Sequence, residues 1–89
     1  MRGIITVIGK DRVGIIARVC VFLADMGVNI LDISQTIVAG YFNMMMIVDT
    51  ECVRDRFEDV AAGLERLGEE IGVVIKLQNE EIFSAMHRI

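Results

Sequence analysis

Cysteine and histidine are scarce: the chain holds only Cys20 and Cys52 of the one and His87 of the other. They form no CxxC pair and no Cys/His group at metal-ligand spacing, which excludes a structural zinc site within one chain. Cys20 falls among apolar residues of an expected helix and reads as a small hydrophobe, and Cys52 takes the same reading. Proline is absent, and no linker, repeat or low-complexity tract interrupts the sequence. No block of consecutive Lys or Arg is present and the formal net charge is -4, so nothing tracks a phosphate backbone and nucleic acid is not an expected partner. The longest apolar stretches, residues 4–8, 19–24 and 44–48, fall far short of the roughly 20 residues that span a bilayer, so no membrane is expected either. Met1-Arg2-Gly3 leads straight into structure without space for a signal peptide, and the expected location is the cytoplasm.

What is abundant is apolar. Hydrophobic residues make up 54% of the 89 and charged residues 25%, a balance that fits one folded core and excludes a disordered segment. So short a chain leaves much of its surface outside its own core, and the apolar excess therefore points to a covered face or a subunit contact.

Residues 2–9 are β-branched and apolar on both parities, as in a strand buried on two faces. From Val13 to Met26, Ile15, Ile16, Val19, Phe22, Leu23 and Met26 form one stripe of an amphipathic helix, ended by Gly27. Val28 to Val38 places Leu31, Ile33 and Ile37 on one parity and Asp32, Ser34 and Thr36 on the other, which predicts a strand with one core face. Gln35 shares the core parity and so needs a buried partner or a place at the sheet's end. Ala39-Gly40 joins this strand to Tyr41–Thr50 as a hairpin with positive φ at Gly40. Two of the three consecutive methionines, Met44, Met45 and Met46, are expected in the core. Val53, Phe57, Val60, Leu64, Leu67 and Ile71 alternate steps of four and three, a second amphipathic helix closed by Gly72. Val73–Gln78 is the last strand. Glu80–Ile89 continues as a short helix with Ile82, Phe83, Met86 and Ile89 on one side.

The order is α+β, a ferredoxin-like βαββαβ sandwich: a four-stranded antiparallel sheet, two helices on one face, and an extra C-terminal helix. Residues 1–79 make the domain, and 80–89 a terminal helix packed on the sheet or on a partner subunit. The face opposite the helices is expected to hold Ile5, Val7, Met45 and Ile47, too apolar to lie against water.

Chemistry concentrates in Gly9-Lys10-Asp11-Arg12-Val13-Gly14-Ile15, between the first strand and first helix. Two glycines let the backbone turn and approach a ligand, while the helix start offers free N–H groups with partial positive charge, a place for a carboxylate. Asp11 reads equally as a helix cap, and Lys10 and Arg12 read as solvated or as ligand contacts. Asn29, opening the second strand, carries donors and acceptors that match an α-amino and α-carboxyl pair, or it bonds its own turn.

Gly9-x-Asp11-Arg12-x-Gly14-Ile15 followed by Gly27-Val28-Asn29-Ile30 resembles the ACT domain signature, and the element order matches over residues 2–78. Asp32-Ile33-Ser34-Gln35-Thr36 and the segment 80–89 are similar to a group of small single-domain ACT proteins related to the glycine cleavage system transcriptional repressor. The resemblance implies a serine- or other amino-acid-type effector at a homodimer interface, held by residues 9–15 of one chain and Asn29 of its neighbour, with no cofactor. The family often has proline before the loop's last glycine. Val13 stands there instead, which leaves the helix start less rigid. With no enzyme attached, any signal passes to another, unidentified protein.

An enzyme would need a nucleophile with a base, or paired carboxylates in a cleft. Asp11 and Asp32 are the only carboxylates near the loop, and His87 lies at the other end of the chain. Acylphosphatase, metallochaperones and RNA-recognition domains share the element order. The phosphate loop of the first, the CxxC of the second and the exposed aromatics of the third are not reproduced. The competing reading is a protein-interaction or dimerisation module with no ligand, using its apolar sheet face or terminal helix.

Overall fold

The computed structural model describes residues 2–10 and 12–81. The chain runs β1 (Arg2–Lys10), α1 (Ile15–Asp25), β2 (Asn29–Val38), β3 (Tyr41–Asp49), a 3₁₀ turn (Glu51–Arg56), α2 (Phe57–Ile71) and β4 (Val73–Asn79). The strands lie in the order β2-β3-β1-β4, every neighbour antiparallel, which is the ferredoxin-like arrangement. β1 and β3 are central, and β2 and β4 are edges.

Register decides which side chains face the helices. Ile5 pairs with Met46 and Val7 with Met44, and all four are enclosed, so this parity is the core side. Ile15, Val19 and Leu23 of α1 and Val60, Leu64 and Leu67 of α2 close over it. Each such enclosed side chain contributes roughly 1.5–3 kcal/mol. Met44 and Met46 fill the core and Met45, 40% exposed, does not, as two-out-of-three requires. Cys20 packs half-buried against the same core. The helices meet where Phe22 lies against Gly63: a Cβ at Gly63 would stand 2.7 Å from the ring's Cζ, so the glycine provides the ring's seat.

Two expectations fail, the first through parity and the second through the strand's place in the sheet. Ile5 and Val7 stand on the helix side, and the open face belongs instead to Ile4, Thr6 and Ile8 with Met45 and Ile47. Leu31, Ile33 and Ile37 are not a core face: they are 46%, 42% and 56% exposed. The reason is position and not pattern. β2 is the outer strand, where the helices do not reach, and a bulge between Ile30 and Asp32 takes Leu31 out of step with Ile33. Gln35 thus pairs with Met44 on the helix side yet remains exposed, at the margin and not in the core.

The hairpin is a two-residue turn in which Ala39 (φ 52) and Gly40 (φ 81) are both left-handed, the type I′ geometry that matches strand twist. The stripe of the second helix spans two elements. Val53 is buried in the 3₁₀ turn, whose chain is non-helical at that residue (φ -118, ψ 19), and α2 proper begins at Phe57. Glu80 and Glu81 carry helical backbone directly after β4. The rest of the expected terminal helix, 82–89, lies outside the described residues.

Candidate functional site

The loop from β1 to α1 is built around two glycines with different surroundings. Gly9 lies where β1 crosses close to β4: a Cβ there would stand 2.7 Å from Val73 Cγ1 and 3.1 Å from Val73 Cα. What its missing side chain admits is the neighbouring strand. Gly14 is the N-cap of α1 at φ 91, a left-handed value that only glycine adopts at little cost, and the helix begins two residues later than Val13. Asp11 is therefore not the N-cap residue, and its own placement lies outside the described residues. Arg18 N–H donates to Gly14 O at 2.9 Å, the bond that joins the cap residue to the first turn. The amides ahead of it are those that helix geometry leaves over, and no side chain among the described residues caps them.

Around this opening lies a concavity of about 210 Å³ lined by Arg12, Val13, Gly14, Ile15, Arg18 and Ile71. Its two cations are already oriented. Arg18 Nη2 donates to Glu70 Oε1 at 2.9 Å, tying the first turn of α1 to the last turn of α2. The Arg12 guanidinium lies against Gly72, 3.6 Å from where a Cβ would be, at the C-terminal end of α2 where the last carbonyls carry partial negative charge. Arg12 is thus more than a solvated loop residue, and nothing in the local sequence announces it. Val13 projects into solvent, and Lys10 is exposed at the end of β1 opposite Tyr41.

Asn29 is not brought to this opening within one chain. It starts β2 opposite Asp49, beyond the far end of α1, whose 11 residues at about 1.5 Å each hold the two places roughly 16 Å apart. At that end Cys52, exposed, contacts Gly27 O through Sγ at 2.8 Å, so this cysteine joins the α1–β2 turn to the 3₁₀ turn.

Arg18 and Ile71 line the concavity but were not among the residues expected there. Arg18 was within reach, one helical turn past Gly14 on the same face. Ile71 comes from the other helix and has no local signal. A larger surface hollow, about 410 Å³, follows Arg54–Asp59, but it is bounded by one continuous segment and has no second wall. Among the described residues no group of three or more His, Cys, Asp or Glu could hold a metal ion, and no helix is long and apolar enough to cross a membrane.

A family model described as the ACT domain matches residues 3–78, and the chain belongs to the ACT domain family. ACT domains are regulatory, typically amino-acid-binding modules. Among its relatives, a UPF0237 protein of Bifidobacterium longum is 59% identical over 99% of this chain and 98% of its own length. An ACT domain protein from Streptococcus pneumoniae superposes with a TM-score of 0.83 at 41% identity, covering 98% of both chains. A protein assigned as a glycine cleavage system transcriptional repressor shares the fold, with a TM-score of 0.73 at 24% identity over 86% of this chain and 44% of its own.

Proposed function

We propose that the chain binds a small zwitterion of the amino-acid type as a homodimer and hands the resulting signal to another protein, catalysing nothing itself. The observation that carries this is the start of α1: left-handed Gly14 as cap, first-turn amides with no side-chain cap among the described residues, and two arginines beside an open hollow. Such a place receives a carboxylate through both N–H donors and the helix dipole. Residues 9–15 form one half of the site and Asn29 of a second copy the other, because one chain holds the two apart. The β2 edge supports that second copy. It is 10 residues long, has neither Lys nor Pro, and exposes Leu31, Ile33, Ile37 and Val38, features that leave an edge open to pairing.

The test is a thermal panel of the twenty amino acids. At 100 times Kd, linkage gives about 2.7 kcal/mol, a rise in Tm of roughly 10–20 °C for a domain of this size. Asn29→Ala is expected to weaken the effector found at least about tenfold by calorimetry while leaving the unliganded Tm within about 2 °C, since Asn29 is exposed and loses one hydrogen-bonding group. The same exposed apolar edge favours a second reading, a ligand-free interaction module. A panel with no shift for any amino acid, in a protein that still dimerises, selects it.

A further inference from the structure

The two edges of the sheet differ in what they can accept. Apolar side chains border β2. β4 is the opposite edge, and among the described residues no strand pairs with its outer side. It holds no proline, and its length leaves alternate N–H and C=O groups turned outward.

A hollow of about 270 Å³ lies at this edge, lined by Glu65 and Glu69 of α2 and by residues 73–76. Gly68 brings the two elements together: a Cβ there would stand 2.6 Å from Val73 O and 3.2 Å from Ile75 N, so the helix lies directly against the strand's backbone. Glu65 and Glu69 flank that turn, both exposed, and among the described residues neither has an ion pair or hydrogen bond. Arg66 is not part of the lining. Ile75, paired with Val7, has the helix-side parity, so Val74, 59% exposed, and Lys76 turn to the opposite face. On the helix side the edge therefore presents uncompensated negative charge.

We propose that the β4 edge takes an extended basic segment of another protein, added as a further strand with Lys or Arg on alternate residues facing Glu65 and Glu69. The spacings agree. Residues four apart on a helix lie about 6 Å apart along its axis, and alternate residues of a strand about 6.7 Å. A second copy of this chain is the wrong occupant, because a two-fold β4–β4 junction would put both α2 helices on one face and set the carboxylates of each against those of the other. That leaves β2 for the second copy and β4 for the protein that receives the signal.

The probe is an acetylated decapeptide of alternating lysine and valine, with one of alternating glutamate and valine as its counterpart, added without effector to the intact isotope-labelled protein. Amide shifts are expected at Val73–Leu77 and around Glu65 and Glu69, with slowed exchange of β4 amides, for the basic peptide only. Glu65→Lys combined with Glu69→Lys alters two exposed side chains and is expected to keep the Tm within about 5 °C. The same pair is expected to weaken the basic peptide at least about tenfold by fluorescence anisotropy and to make the acidic one bind. Raising salt from about 0.1 M to about 1 M is expected to weaken the native complex severalfold. No shifts at β4, shifts at β2 instead, or a charge-reversed chain that binds the basic peptide as the native one does, overturns the proposal. The measurement involves no effector, so its failure leaves the amino-acid reading untouched.

Discussion

A Cβ built on Gly9 would stand 2.7 Å from Val73 Cγ1 and 3.1 Å from Val73 Cα, whereas one on Gly14 would meet nothing within 4 Å. Backbone cannot step aside as a side-chain tip can, so Gly9→Ala has to open the β1–β4 contact. It is expected to cost about 1–3 kcal/mol, read as a lower urea midpoint with unchanged slope. The type I′ turn shows the converse. Ala39 occupies the left-handed region at φ 52, which disfavours a residue with a Cβ by roughly 1–2 kcal/mol and suits Asn or Gly. Ala39 is exposed, so Ala39→Asn is expected to gain about 0.5–1 kcal/mol, a Tm higher by roughly 2–8 °C by calorimetry.

The element that decides assembly is β2. A lysine at the centre of this edge would face its own image in a second copy, and like charges so placed cost several kcal/mol. Ile33→Lys is expected to weaken dimerisation by about a hundredfold or more, giving a monomer by light scattering at micromolar concentration and a Tm independent of protein concentration. β2 is also where sequence reasoning met its limit. Alternation of Leu31, Ile33 and Ile37 is a local signal and truthfully reports a strand. Whether a helix covers that strand depends on its rank in the sheet, and a bulge at Leu31 shifts the count. The α2 stripe was legible almost residue by residue, from Val60 to Ile71, because helical burial follows from spacing alone. In the loop, the glycines announced a turn at a helix start. Their division of labour did not show, since Val73 and the Arg12 seat at Gly72 come from the far end of the chain.

At the scale of the molecule, the distance along α1 makes a quantitative demand on the proposed site. If the helix opening of one chain and Asn29 of another grip the same zwitterion, binding and dimerisation are one equilibrium, and each must favour the other by the same free energy. A dimer has two such composite sites. With effector at 100 times Kd, each adds about 2.7 kcal/mol to the assembled form, so the dimer dissociation constant is expected to fall by up to about ten-thousandfold in sedimentation equilibrium. Ile33→Lys supplies the control, because a monomer presents half of each site. Its Tm is expected to rise with effector by no more than about 2 °C, against the roughly 10–20 °C expected of the native chain. Equal rises in both proteins would place the whole site within one chain, and Asn29, at the wrong end of α1, would then have no part in it.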